Sequence, residues 1–349
     1  MVRTVSVGSK KLGDGCPCFI IVEAGSNHNG SLEQAKLLID VAASAGADAV
    51  KFQLFRASKL YPRGAGQSDY LKEARSIYDI IREMEMPYDW LPELAAHCKK
   101  KRIFFMASAF DEESVDRLDP FVLVHKVASY EMTHGPLLRA VAQKGKPVIL
   151  STGTADLAEV REAVRVFLDS GNQDLLLMQC TAAYPAPVES LNIRAIATMR
   201  EAFGLPVGLS DHSRDPLVGP LAAVAAGAHL IEKHVTLSNA LDGPDHRFAL
   251  EPPELQLMIR KIRETEQALG SGEKKPHSVE AELRDFARRS IFTTKNVAAG
   301  EELTADNISV LRCGKLPSGL QPREYPHLLG RRAARPIPAE SAIQQNDFI

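Results

Sequence analysis

Apolar runs of four to seven residues recur along the first ~270 positions, separated by longer stretches with apolar residues at helical spacing. Eight of the runs read as strands, over 18–24, 47–53, 102–107, 123–128, 147–151, 174–180, 206–209 and 229–235. The stretches between them read as helices. One covers 32–45, with Ser31 as N-cap and Gly46 just past its end. Others cover 155–170, 216–226 and 254–269, the last closed by Gly270. Strands alternating with helices imply parallel pairing, because parallel neighbours need a crossover. Eight strand–helix units favour a closed (β/α)8 TIM barrel over an open doubly wound sheet. The stretch 55–80 breaks the alternation. With Tyr61-Pro62-Arg63-Gly64-Ala65-Gly66 inside it, it reads as a long loop or lid over one end of the barrel.

The texture changes after Gly270-Ser271-Gly272, which is a linker by composition. Beyond it short strands over 288–293, 308–311 and 335–337 alternate with turn residues. The expected organisation is a barrel domain over 1–272, a linker over 273–283 and a small, mostly β domain over 284–349.

Composition narrows the function. The 349 residues carry a net charge of -2, which argues against a nucleic-acid or anionic-membrane partner. No apolar run approaches the ~20 residues of a membrane span, and the first ten residues lack the apolar core of a signal peptide. A cytoplasmic protein is expected. The 5 cysteines are odd in number and scattered, and Cys16-Pro17-Cys18 has neither redox nor zinc spacing, so they read as free buried thiols.

The chemistry gathers at the C-terminal strand ends, the rim where barrel active sites form. Successive ends bring Glu23, then Lys51 and Gln53, Ser108, and Lys126 with Glu131. They continue with Ser151-Thr152-Gly153, then Tyr184 past the sixth strand, Ser210 and His212, and Glu232 and His234. Lys51 and Lys126, supported by the hydroxyls of Ser151 and Thr152, suit a small, doubly anionic ligand. His212 and His234, on adjacent strands, are candidate ligands of one divalent metal with open positions; Mn²⁺, Co²⁺, Fe²⁺ or Mg²⁺ would suit. Glu23 and Glu131 are candidate acid–base groups. The loop Asp242-Gly243-Pro244-Asp245-His246-Arg247 follows the eighth strand, where it could bind hydroxyls or tune the metal. These features alone leave open a barrel metal hydrolase, or a carbohydrate-binding protein built around the C-terminal domain.

Several runs carry a resemblance. Glu23-Ala24-Gly25-Ser26-Asn27-His28-Asn29-Gly30, Gly46-Ala47-Asp48-Ala49-Val50-Lys51-Phe52-Gln53, Ser210-Asp211-His212-Ser213, Glu232-Lys233-His234 and Gly243-Pro244-Asp245-His246 resemble the sialic acid synthase family. The tail from Arg288 to Phe348 resembles its antifreeze-like (SAF) domain. The resemblance implies condensation of phosphoenolpyruvate with an N-acetylated amino sugar to a nine-carbon 2-keto acid. It assigns His212 and His234 to the metal, usually Mn²⁺, with Mg²⁺ or Co²⁺ as alternatives. It assigns Lys51, Lys126, Ser151 and Ser210 to phosphoenolpyruvate, and Glu131 to acid–base work. Glu23, Gln53, Tyr184 and Asp245 fall near the metal or sugar. It further implies a swapped homodimer in which Arg312, helped by Phe286, completes the neighbouring subunit's site. N-acetylneuraminate synthesis from N-acetylmannosamine is the expected activity, with legionaminic or pseudaminic acid synthesis as the alternative. Ala182 stands where many N-acetylneuraminate synthases have Asn, and Ala128-Ser129-Tyr130-Glu131-Met132-Thr133 looks closer to the other branches.

Overall fold

The computed structural model describes residues 2–67 and 75–349. They divide into two compact units, Met1–Gly270 and Ser271–Ile349.

The first unit opens with a hairpin that the sequence reading did not anticipate, β1 (Val5–Val7) and β2 (Lys10–Leu12). Eight parallel strands follow: β3 (Phe19–Gly25), β4 (Ala49–Leu54), β5 (Phe104–Ala109), β6 (His125–Val127), β7 (Val148–Ser151), β8 (Leu175–Cys180), β9 (Val207–Asp211) and β10 (Leu230–His234). They form a closed barrel in which β10 pairs with β3. Helices surround it: α1 (Leu32–Ser44), α2 (Ala57–Leu60), α3 (Ile77–Glu83), α4 (Trp90–Lys101), α5 (Glu112–Leu118), α6 (Gly135–Ala142), α7 (Leu157–Asp169), α8 (Ala195–Phe203), α9 (Val218–Ala225) and α10 (Pro252–Leu269). Local chemistry sets their starts. The Ser31 hydroxyl accepts from Gln34 N–H at 3.2 Å, and Asp156 with Glu159 closes a reciprocal capping box on α7.

Strand periodicity sorts the barrel into two layers. One parity, including Ile20, Val22, Val50, Phe52, Leu150 and Leu209, packs outward against the helices. The other parity faces inward. Its early members are Phe19, Ile21, Ala49, Met106, Ile149, Leu176 and Leu230, and they join Val5, Val7 and Leu12 of the hairpin in one apolar cluster. Each of these side chains larger than Ala contributes roughly 1.5–3 kcal/mol by leaving water. The strand starts are therefore packed shut, and only the later inward positions are left to carry chemistry. Tight approach between β9 and β10 depends on Gly208, where a Cβ would stand 2.2 Å from the Leu230 carbonyl oxygen.

The expected lid over 55–80 is partly helical. It holds α2 and α3, the latter started by the Ser76 hydroxyl accepting from Asp79 N–H at 3.2 Å. Positions 68–74 of that stretch lie outside the described residues.

In the second unit α11 (Ala281–Ala287) precedes the antiparallel pair β11 (Arg289–Thr293) and β12 (Ile308–Arg312), and α12 (Tyr325–Leu328) follows. The helix α11 straddles position 284, where the sequence reading began the domain. Ile291, Val297, Leu303, Ile308, Leu328, Ala333, Ile337 and Ile343 form its core. The strand expected over 335–337 does not form. Pro336 and Pro338 offer no N–H to a ladder, and only an isolated Val297–Ile337 bridge remains.

Candidate functional site

The inward parity turns polar at the C-terminal strand ends, and those side chains converge on a cavity of about 660 Å³. The register explains the convergence. Glu23 lies beside both Lys51 and His234, Gln53 beside Ser108, Ser108 beside Lys126, and Ser210 beside Glu232.

Two buried lysines and two buried carboxylates form the floor. Lys51 Nζ lies 2.8 Å from Glu23 Oε2 and 3.5 Å from Glu232 Oε1, and donates to Ser108 Oγ at 3.3 Å. Lys126 Nζ donates to Ser151 Oγ at 2.7 Å and lies 3.8 Å from Glu232 Oε2. Ser210 Oγ donates to Glu232 Oε1 at 3.2 Å, and Gln53 Nε2 to Glu23 Oε1 at 2.9 Å. Burial raises the Glu232 carboxyl, but Lys126 and Lys51 outweigh it, so Glu232 is held below its ordinary range. Glu23 is raised by burial and by the Glu232 charge beyond what Lys51 offsets. Burial depresses Lys51, yet its two carboxylates reverse this and its ammonium is favoured; Lys126 stays depressed by burial. Beyond these ion pairs, neither Glu23 Oε2 nor Glu232 Oε2 receives a hydrogen bond, and both are buried. Glu232 stood in the rim inventory without a role. Its position two residues before His234, on the same strand face, was the available signal.

His212 and His234 lie side by side, with ring centroids 5.3 Å apart. His212 Nδ1 donates to the Thr181 carbonyl at 3.0 Å, which fixes the tautomer and leaves Nε2 as the lone-pair nitrogen. His234 is pushed well below its ordinary value by burial and then by His212, so its imidazole is neutral. Its Nδ1 is buried without a hydrogen-bond partner, 3.6 Å from Asp245 Oδ2. Asp245 is raised to about 6 by burial and then by Glu23. Among the described residues no group of three or more His, Cys, Asp or Glu side chains is arranged to hold a metal ion. Burial lowers His212, but its contact with Cys180 outweighs this and the group is raised. The two adjacent imidazoles, with the orphaned buried nitrogen of His234, fit a divalent ion whose other positions are open.

The backs of these strands brace the pair. Lys233, facing outward, reaches Asp211 Oδ2 at 2.7 Å, Ser213 Oγ at 3.3 Å and the Asp215 carbonyl at 3.1 Å. It thereby ties down the segment carrying His212. The Asp245 loop is held by Asn29 Oδ1 on His246 Nε2 at 3.0 Å and by His246 Nδ1 on Thr236 Oγ1 at 2.6 Å. Gly25, at φ +54°, leaves the space between them; a Cβ there would stand 3.3 Å from Asp245 Oδ2 and 3.5 Å from Glu23 Oε1.

Glu131 follows β6 in a turn of 3₁₀ helix. It is 7% exposed, its Oε2 has no hydrogen-bond partner, and burial raises it to about 7. Tyr184 stacks beside His212, with centroids 4.3 Å apart. Cys180, unremarked as a site residue, lines the cavity with Sγ 3.8 Å from His212 Nδ1.

One expected cavity residue is not brought in. Thr152 is buried, does not line the cavity, and donates its hydroxyl to the Met178 carbonyl at 2.9 Å. Strand parity explains this, since Ser151 takes the inward direction. Arg312 and Phe286 belong to the second unit: Arg312 ends β12 opposite Arg289, and the ammonium of Lys315 lies 5.4 Å from the Phe286 ring centroid.

A closed parallel barrel with lysines, carboxylates and imidazoles gathered at its C-terminal mouth has the architecture of a barrel enzyme. The chain belongs to the NeuB family, whose model matches residues 38–274, and a SAF domain matches residues 288–349. It is thus an enzyme of the nonulosonic acid synthase family. It is 43% identical to the spore coat polysaccharide biosynthesis protein SpsE of Bacillus subtilis, covering 98% of this chain and 96% of that protein. It is 37% identical to the N,N'-diacetyllegionaminic acid synthase of Legionella pneumophila, covering 96% of each. The crystal structure of the N-acetylneuraminic acid synthetase of Leptospira borgpetersenii, in complex with citrate, matches with a TM-score of 0.74 at 34% identity, over 82% of this chain and 96% of that one.

Proposed function

We propose that the barrel condenses phosphoenolpyruvate with the open-chain aldehyde of an N-acetylated amino sugar, giving a 2-keto acid and phosphate. The observation that carries this reading is the floor itself. Two buried lysines beside Ser108 and Ser151 line a cavity that also presents two adjacent imidazoles. The lysines and hydroxyls would take the phosphate and carboxylate. The imidazoles would hold a divalent metal, Mn²⁺ foremost, which when bound supplies Lewis acidity toward the aldehyde oxygen.

The chain's own residues then order the reaction. Lys51, Lys126, Ser151 and Ser210 fix phosphoenolpyruvate with C3 toward the aldehyde carbon, making the encounter an oriented one. C3 forms the new carbon–carbon bond, and the cation developing at C2 is captured by water. The tetrahedral intermediate loses phosphate with the bridging oxygen, so the keto oxygen comes from water. Glu131, poised near neutrality, is suited to deliver a proton to the new hydroxyl or take one from the water. Glu232 and Glu23 hold the lysine ammonium groups in place between turnovers.

Phosphate release by the metal-stripped full-length protein, given phosphoenolpyruvate, Mn²⁺ and a panel of amino sugars, tests this. Turnover that requires both sugar and metal, with ¹⁸O from the bridging position recovered in phosphate, is expected. Label recovered in the keto acid, or phosphate release independent of sugar, overturns it.

A further inference from the structure

Among the described residues three lysines are buried, and only Lys51 and Lys126 line the cavity. The third, Lys233, is 1% exposed and has no part in the reaction drawn above. Asp211, buried as deeply, stands directly beside it in the β9–β10 register. Each immediately precedes a candidate metal ligand, so the outward pair Asp211–Lys233 backs the cavity-facing pair His212–His234. The outward pair is fully satisfied. The three ammonium protons of Lys233 are taken by Asp211 Oδ2 at 2.7 Å, the Ser213 carbonyl, and the Asp215 carbonyl at 3.1 Å. Asp211 Oδ1 accepts from Ser213 N–H at 2.8 Å. The neighbouring helix α9 makes room for the carboxylate with a glycine, a poor helix residue; a Cβ at Gly219 would stand 2.6 Å from Asp211 Oδ2.

Stability does not account for this pair. Two charges taken out of water do no better, as a rule, than apolar residues of the same volume. Two residues earlier on the same strands, the outward positions are held by Leu209 and Ile231, which join the apolar core. Geometry does account for it. The β9–β10 ladder ends at Asp211 and Lys233, so His212 lies just past the last position whose distance to β10 the register fixes. Lys233 reaches across that gap and holds the chain on both sides of His212, at Asp211 and at Ser213. We propose that Asp211 and Lys233 are positioning residues that set the spacing of the two imidazoles and thereby the affinity of the site for a divalent metal. The inference rests on the metal reading above. The imidazoles would touch the ion, and the ion pair would act only through them.

The test titrates Mn²⁺ into the metal-free, full-length protein and reads the free ion by electron paramagnetic resonance. Wild type, Lys233→Met and the double variant Asp211→Asn, Lys233→Met are compared, with urea unfolding of the same metal-free proteins measured alongside. The double variant buries no charge at this place, and the Asn oxygen can still accept from Ser213 N–H. It is expected to recover part of the stability lost in Lys233→Met, while its Mn²⁺ affinity stays about 10–100-fold below wild type, the usual loss when a group behind a metal ligand is removed. Affinity that returns together with stability, or that never falls, overturns the positioning role and leaves the metal site intact. Should Lys233→Met fail to fold, the double variant against wild type decides alone: wild-type affinity in a folded double variant overturns the proposal. A wild type that binds no Mn²⁺ overturns the metal reading, and this inference with it.

Discussion

Replacing Glu131 by Gln is expected to stabilise the ligand-free protein at pH 8 while disabling it. The carboxyl is 7% exposed, one of its oxygens has no hydrogen-bond partner, and burial raises it from 4.5 to about 7. Between those values the folded chain holds a proton that the unfolded chain has released, so stability falls as pH rises through this window. A tenfold change in proton affinity is worth about 1.4 kcal/mol, so ionised Glu131 costs the fold about 3 kcal/mol above pH 7. Gln has the same shape and cannot ionise. Glu131→Gln should therefore gain up to about 3 kcal/mol at pH 8 and almost nothing at pH 4.5. Urea unfolding followed by fluorescence reads this from the barrel unit alone, because the chain's 1 tryptophan is Trp90, in α4. Turnover at pH 8 should drop about 10²-fold or more, the usual loss on removing an acid–base group. Equal stability change at both pH values, or a loss at pH 8, would refute the argument.

His28 is fully buried, stacks edge-on to Trp90, and is lowered to about 4 by burial. The unfolded chain binds its proton first, so the wild type should lose about 3 kcal/mol relative to His28→Gln as pH falls from 6.5 to 4; parallel pH profiles of the two would count against this. Lys233→Met leaves the buried Asp211 carboxylate without its partner and should cost about 3–5 kcal/mol in urea unfolding, with part regained in the Asp211→Asn, Lys233→Met double variant. If Arg312 completes a neighbouring subunit's site, mixing the nearly inactive Arg312→Ala and Lys51→Ala proteins should restore about a quarter of wild-type activity, since half of the randomly formed dimers carry one intact site. No recovery after verified subunit exchange would place Arg312 outside the partner's site.

The barrel was legible because its signal is redundant. Eight apolar runs, their helical intervals and the Ser31 cap all point the same way. The rim was legible for a related reason, since lysines and carboxylates in otherwise apolar strands stand out. Parity decides which of those residues enter the cavity. Ser151 and Thr152 cannot both face inward from one extended strand, and Glu232 must share its face with His234. The first point removes Thr152 from the floor, and the second brings Glu232 between the lysines. The apolar part of the cavity lining, Phe55 and Leu60 with Ile77, Ile80 and Ile81 of α3, was hidden for a different reason. Leu60 and the apolar residues of α3 are separated by a stretch rich in Gly, Pro and charge, and only the Ser76–Asp79 cap marks where the helix begins. The hairpin β1–β2 has three-residue strands, too short for periodicity to register.

That hairpin makes the barrel a cul-de-sac. With Val5, Val7 and Leu12 seated among the strand starts, both substrates and both products must pass through a single doorway. Under the proposed reaction the anion's seat lies at the far end of this blind alley, and the sugar's seat nearer the street. A sugar that arrives first would stand in the way of phosphoenolpyruvate. Queueing then becomes a property of the architecture: initial rates should follow an ordered pattern, phosphoenolpyruvate first. Excess sugar should inhibit by blocking the passage, and raising phosphoenolpyruvate should relieve that block; random-order kinetics would show a second way in.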